Sequence, residues 1–308
     1  MTVVVTPQTS AAGAPNPLVE APGGRKHRAG AGSYVVLTVL AILWLLPLLW
    51  TLYTSLRPES DTNQYGYFSL AHSLTFQNYS NAWTQGQLLH FFGNSVLITV
   101  PAVIITLFLA SCVAFVVSRF NSKLNLILLL LFTAGNLLPQ QVLLSPLFKI
   151  FNSVDLPGFL SSSGKLYDSF TGVIAINVAF QTGFCVFVLS NFMRTIPEEV
   201  TEAAILDGAS IWSQYWRIIM PLCRPALAAL ATLLTTWIYN DFFWALTLMT
   251  TGAKRPITSA IANLTGEFGQ NNNLLSAGAL IIAIPTLLVY VALQKQFIAG
   301  LTLGSTKG

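Results

Sequence analysis

The feature that most constrains this chain is a succession of apolar runs, each long enough to cross a lipid bilayer. Between Tyr34 and Leu56 no Asp, Glu, Lys or Arg occurs. A hydrocarbon core of ~30 Å needs about 20 residues of helix at 1.5 Å each, and this run supplies them. Five further runs follow, so spans are expected at about 34–56, 94–117, 124–151, 171–192, 225–249 and 274–297. In lipid every backbone polar group must be paired within the protein. The expectation is therefore an all-α, polytopic membrane bundle of six transmembrane helices, used as one domain. Only 8% of the 308 residues are charged and 54% are hydrophobic. Soluble domains carry about 25% charged residues, so the ordinary soluble class is excluded.

The ends and the rare residues narrow the reading. Residues 1–33 are rich in Pro, Ala, Gly, Thr and Ser and contain the cluster Arg25-Lys26-His27-Arg28. That composition cannot bury a core, and a disordered tail is expected. A signal peptide is rejected because the following apolar run exceeds the ~7–15 residues of a signal core and lacks a small-residue cleavage site. Residues 300–308 form a short second tail. The net charge of +4 is scattered rather than gathered into a stripe, which argues against a nucleic-acid partner. Cys112, Cys185 and Cys223 are isolated in or beside apolar sequence and read as packing residues. His27, His72 and His90 are equally isolated, so no metal site is expected. No spaced carboxylate pair, triad or HExxH nominates a catalytic residue.

Polar residues inside apolar runs are costly, and here they are few. The third run is interrupted by Gly135-Asn136, Pro139-Gln140-Gln141 and Pro146, because proline removes a helix hydrogen bond and clashes with the preceding turn. It is either a simple kinked helix or a polar break facing a passage. Asn177 and Gln181 lie four residues apart, on one face of the fourth run. Interhelical hydrogen bonds explain such pairs more often than ligands do. Asp241, beside Asn240, is the one carboxylate within a span. A charge at the bilayer centre costs ~2.5–3.5 kcal/mol on insertion scales, so Asp241 should face the bundle or water. Trp237, Tyr239 and Trp244 nearby would suit stacking on a ring, and membrane-interface anchoring is the competing role. Asn177, Gln181, Trp237, Asn240 and Asp241 are thus the candidates for a translocation path.

The distribution of charge orients the chain. With six spans both termini share a side, and that side holds Arg25, Lys26, Arg28, Arg119, Lys123, Arg194, Arg217, Arg224, Lys295 and Lys307. The other holds Arg57, Lys149, Lys165, Lys254 and Arg255. The excess marks the first side as cytoplasmic. It contains the most polar stretch between spans, PEEVTEAAILDGASIWSQYWRIIMP at 197–221. Pro197 suits a helix start, and Glu198 and Glu199 sit at the positive end of the helix dipole. Gly208 can end the helix in a left-handed turn. Ala203 and Ala204 offer a bare surface to a partner. Ser210 can cap a second helix over 211–220, whose Trp212, Tyr215 and Trp216 suit an interface.

Glu202-Ala203-Ala204, three residues, Gly208, nine residues and Ile218-x-Met220-Pro221 resemble the EAA motif of ABC-importer permeases. The family usually has leucine where Met220 stands. Phe92-Gly93-Asn94-Ser95, Ser118-Arg119-Phe120, Pro146-Leu147-Phe148, Trp237-x-x-Asn240-Asp241-Phe242 and Gly300-Leu301-Thr302 with Lys307-Gly308 resemble the carbohydrate-importer branch, of the maltose-transporter inner-subunit type. The resemblance runs from about Tyr34 to the C-terminus. It implies a type I importer permease fold in a prokaryotic inner membrane. In such transporters the EAA segment is a coupling helix, so Glu202, Ala203, Ala204, Asp207 and Gly208 would meet a cytoplasmic ATPase. The C-terminal tail would reach toward that interface too. Implied partners are a second homologous permease, two ATP-binding cassette subunits and an extracytoplasmic sugar-binding protein. No Walker A sequence occurs here, so ATP and Mg would be bound by those separate subunits. Two alternatives stand beside this: an ion-coupled carrier working alone through Asp241, and an ABC permease for a solute other than sugar.

Overall fold

The computed structural model describes residues 31–120, 123–135, 139–259, 261 and 271–302. The two tails expected to be disordered or to approach a partner lie almost wholly outside the described residues, as does Asn136. The chain divides into two compact units, 1–48 and 49–308. In the first, the described residues belong to helix α1 (Ala31–Ser55), whose apolar side chains from Tyr34 to Leu48 are exposed. An unbroken exposed apolar surface of this kind is expected where lipid is the solvent.

The second unit is built on α4 (Leu88–Arg119) and α7 (Phe170–Arg194). The two helices pack together, and their buried faces are rich in small residues: Ala102, Ala110, Ser111 and Ala114 on α4, and Gly183, Cys185 and Ser190 on α7. Small side chains let backbones approach closely, which is how helices associate when lipid removes the hydrophobic drive. Val186, Leu189 and Met193 fill the remaining space with no exposure. The outward faces stay apolar, as at Ile104 of α4, 61% exposed. Ser169 caps α7 by accepting the Gly172 N–H at 3.0 Å. A Cβ at Gly172 would collide with the Leu166 carbonyl oxygen, which explains glycine at that position.

Two apolar runs are not single helices. The third consists of α5 (Lys123–Gly135), a 3₁₀ turn at Gln140–Leu143 and α6 (Leu144–Ser153). The axes of Ile127–Gly135 and Gln140–Ser153 meet at 93°, a sharper change than a kinked span. The fifth consists of α10 (Arg224–Tyr239) and α11 (Phe243–Leu248), separated at Asn240–Phe242. The last run is α12 (Asn272–Thr302). Among the described residues four helices are long and apolar enough to cross a membrane as they stand, or up to six if the bent pairs Ile127–Gly135 with Gln140–Ser153 and Ile211–Leu222 with Arg224–Tyr239 each count as one span. The polar stretch forms α8 (Glu198–Leu206) and α9 (Ile211–Leu222).

At the end of the bundle away from α8, the connections are tied down by buried polar groups. Arg57, 1% exposed, meets Asp61 of α2 (Glu59–Tyr65) through Nη2 at 2.7 Å and Nε at 2.9 Å. Its Nη1 also donates to the carbonyls of Gly66, Tyr67 and Ser69. Asn78 of α3 (Gln77–Gln85) and Asn273 of α12 donate to the Arg57 carbonyl at 2.7 and 3.1 Å. Arg57, counted in the sequence only as one charge of the outer side, is therefore the hub of this end. Asp168 forms a second clasp, accepting from Thr251 N–H and hydroxyl and from Lys254 Nζ at 3.0 Å.

Candidate functional site

The polar interruptions of three spans converge on one cavity of about 370 Å³. Gln140 reaches it from the break of the third span. Asn177, Phe180 and Gln181 reach it from α7. Thr236, Trp237, Asn240, Asp241 and Trp244 reach it from the two sides of the fifth-span break. All five residues singled out in the sequence as path candidates thus line the same space. Its size falls in the usual ~300–1,000 Å³ range of small-molecule sites.

The break itself has a local cause. Thr232, Thr235 and Thr236 on α10 turn their hydroxyls back to carbonyls four residues earlier. The Asn240 amide does the same to Thr236 O at 2.8 Å, which competes with continued helix at that turn. Asp241 then starts α11, its Oδ1 accepting the Trp244 N–H at 3.1 Å. Its Oδ2 accepts from Asn177 Nδ2 at 3.1 Å, while the same amide donates to Val173 O. The aspartate therefore joins the fourth span to the fifth at the cavity wall. The Asp241 carbonyl accepts from Thr258 at 3.0 Å.

The walls are aromatic. Trp237 packs on Phe184 and Trp244 on Phe180, each with ring centroids 5.3 Å apart. Tyr239, a candidate for stacking, is instead buried and donates to Ile282 O at 3.3 Å, away from this cavity. No Lys, Arg or His stands among the described lining residues. Gln140, Phe180, Thr236 and Trp244 complete the site; the polar break had flagged Gln140 only as an alternative, and nothing in the sequence marked Phe180 or Thr236.

At the other end of the bundle, α8 begins after Pro197, with Glu198 and Glu199 in its first turn. It closes as a Schellman motif: Ala209 N–H donates to Ala204 O at 2.9 Å and Gly208 N–H to Ile205 O at 3.0 Å. Gly208 has φ +76°, the left-handed conformation that favours glycine. A Cβ there would meet nothing within 4 Å, so the turn is limited by backbone conformation and not by crowding from its own chain. Glu202, Ala203, Asp207 and Gly208 are exposed, but Ala204 is buried, so the two alanines do not present a shared bare face. The exposed tip is instead apolar, with Ile205, Leu206, Ile211 and Trp212.

Ser210 caps α9 by accepting the Ser213 N–H at 3.3 Å. The helix is not regular, because Gln214–Ile219 form a π-helical stretch. The extra width rotates Tyr215 inward, where it is 2% exposed and not at an interface. Among the described residues no three His, Cys, Asp or Glu side chains group as metal ligands.

Comparison with known proteins bears on both sites. Residues 102–302 match the model of the family described as binding-protein-dependent transport system inner membrane component. The chain is 28% identical over 290 residues to the diacetylchitobiose uptake system permease protein of Streptomyces coelicolor, covering 94% of this chain and 92% of that one. It is 30% identical over 271 residues to the melibiose/raffinose/stachyose import permease protein of Bacillus subtilis, covering 88% and 94%. It is also 30% identical to the osmoprotective compounds uptake permease protein of a Synechocystis species, covering 89% and 91%. Among solved structures, a bacterial ABC transporter involved in import of the acidic polysaccharide alginate superposes with a TM-score of 0.67 at 22% identity, covering 86% of this chain and 95% of that one. That likeness shows a shared helical fold. On the family match, spanning most of the helical unit, the chain belongs to the binding-protein-dependent inner membrane components: it is a non-catalytic, multi-pass permease of an ABC importer, with ATP bound by a partner ATPase.

Proposed function

We propose that this permease forms half of the translocation pathway of a carbohydrate importer. It pairs with a second homologous permease in the inner membrane of a prokaryote, with both termini cytoplasmic. In this reading an extracytoplasmic sugar-binding protein delivers substrate to the end held by Arg57 and Asp168. Two ATP-binding cassette subunits, carrying ATP and Mg, sit at the end that bears α8. The segment of Glu202, Ala203, Ala204, Asp207 and Gly208 docks one of them. Its apolar tip and open space above Gly208 support that role.

The observation that carries the reading is the cavity at the fifth-span break. Amides at Gln140, Asn177, Gln181 and Asn240 and a carboxylate at Asp241 offer donors and acceptors to hydroxyl groups. The indoles of Trp237 and Trp244 offer flat apolar faces. That mixture suits a polyhydroxylated ring better than a lipid or an anion. Two relatives named for oligosaccharides support the same class. The relative named for osmoprotective compounds favours a second reading, an osmoprotective solute carried by the same machinery. An ion-coupled carrier working alone is displaced by the family match.

The test is uptake of labelled neutral di- and trisaccharides, beside a quaternary-ammonium osmolyte, by cells with and without the intact chain. Loss of saccharide uptake on deleting it, restored by the native chain and not by Asn177→Ala or Trp237→Ala, is expected. Loss confined to the osmolyte would select the second reading.

A further inference from the structure

The chain enters the α8–α9 segment from α7 and leaves it into α10, yet the segment is fastened to neither end alone. It is fastened to α4, twice. At its entry Arg119, the last residue of α4, donates from Nη2 to Met193 O at 3.0 Å and from Nη1 to Ile196 O at 3.2 Å. These carbonyls close α7 immediately before Pro197. At its exit Tyr215 shares a hydrogen bond of 2.7 Å with the hydroxyl of Ser111 on α4. Ser111 has no exposed surface and Tyr215 almost none. The Phe115 ring meets Tyr215 edge-on, with centroids 5.4 Å apart.

Ser111 and Arg119 stand eight residues apart on one helix, a baseline of about 12 Å at 1.5 Å per residue. A single contact would let the protruding tip pivot. Two contacts on a baseline of about 12 Å, one before and one after the protruding tip in the chain, resist rotation as well as sliding. Beyond that contact the chain turns by 73° between Ile211–Leu222 and Arg224–Tyr239, so the axis of α9 is not continued by α10. The π-helical stretch is what makes the exit contact, because it brings Tyr215 to face Ser111. Such departures in a helix often mark function.

We infer that α4 carries the ATPase stroke, with Tyr215 and Arg119 as the positioning residues that lock the coupling segment to it. The inference rests on the docking role proposed above for α8. Because α4 is packed along α7 through close small-residue contacts, the tip, α4 and α7 move as one body. The Asn177–Asp241 hydrogen bond is then where that body meets the break of the fifth span, so the stroke arrives at the cavity wall.

The test uses the complete transporter in nanodiscs, with Cys112 of this chain, which also reaches the Tyr215 hydroxyl at 3.5 Å, replaced by serine and Cys185 and Cys223 by alanine. Nitroxide pairs at Ile205→Cys with Ile104→Cys, and at Ile205→Cys with Leu287→Cys, report the tip against α4 and against α12. All three positions are exposed. Between the nucleotide-free and the ATP–vanadate states, the 205–104 distance should stay within about 2 Å, while 205–287 changes by about 5 Å or more. Tyr215→Phe and Ser111→Ala should each let 205–104 change with nucleotide, and lower vesicle uptake per ATP hydrolysed about fivefold. Ser111→Thr, which keeps the hydroxyl, should restore both. A 205–104 distance that changes in the unsubstituted chain as much as 205–287 overturns the inference and leaves docking intact. If the ATPase subunit copurifies regardless of the tip, or neither distance responds to nucleotide, the docking role fails and this inference falls with it.

Discussion

Asp241 engages both carboxylate oxygens with protein groups, Oδ2 with the Asn177 amide and Oδ1 with the Trp244 N–H. The first bond joins two spans and the second begins a helix, so one side chain sets both the cavity wall and the break. Hydrogen bonds of this kind contribute ~0.5–1.5 kcal/mol net each, which offsets part of the cost of placing a polar group there. Asp241→Ala would leave two donors without partners at ~1–3 kcal/mol apiece, whereas Asp241→Asn keeps one acceptor of similar shape. The expected result is uptake reduced about tenfold or more in the alanine variant, by less in the asparagine variant, with both chains still in the membrane. Uptake by either should be indifferent to collapse of the proton gradient. Native uptake by Asp241→Ala would show that the aspartate neither shapes the path nor lines it. The separate members of this site were legible because a polar residue in an apolar run stands out. Their partnership was not, since only the packing of α7 against the break brings residues 177 and 241 together.

Elements were legible to the extent that local chemistry decides them. Pro197, the paired glutamates, Gly208 and Ser210 mark helix ends through capping and dipole effects that act within one turn. The π-helical turn at 214–219 has no such signature. It places Tyr215 against Ser111, and that burial depends on tertiary contact with α4 rather than on neighbours in sequence. The same limit hid the right-angle turn in the third run, where Pro139 signals a break and not its angle. Gly208 allows backbone geometry to be separated from docking. Asparagine tolerates the left-handed region better than other side chains, while valine does not. Gly208→Asn should therefore keep the turn yet place an amide in the space above it. Gly208→Val should strain the turn by about 1–2 kcal/mol. Both are expected to lower copurification of the ATPase subunit in mild detergent. Full retention by Gly208→Asn would mean that the partner does not approach this turn.

At the scale of the molecule, the bundle class followed from hydropathy because lipid leaves so few backbone solutions, but the way each end is secured did not. The α8 end is held by an aromatic cluster and by Arg119 on backbone carbonyls. The opposite end is held by two carboxylates. Burial alone would raise the Asp61 carboxyl, but the hydrogen bond from Arg57, that from His72 N–H and their charges outweigh it and leave it below its ordinary 3.8. At Asp168 burial again raises, and Thr251 and Lys254 again prevail, so this carboxyl also lies below 3.8. A carboxyl with a lowered folded-state pKa stabilises the fold above its unfolded value. That stabilisation fades as pH falls through the folded value. Acid below about pH 4 should thus release the loops at 57–75 and 154–169 before the α8 end, where Arg119 holds backbone carbonyls and Tyr215 holds the Ser111 hydroxyl. Hydrogen exchange of the purified complex, normalised to unfolded-peptide rates at each pH, should show protection lost in those two loops first. Asp61→Asn should remove the pH dependence from the first loop and leave it in the second. Simultaneous loss at both ends of the bundle would mean that the clasps are not separate units, and that acid acts on the bundle as a whole.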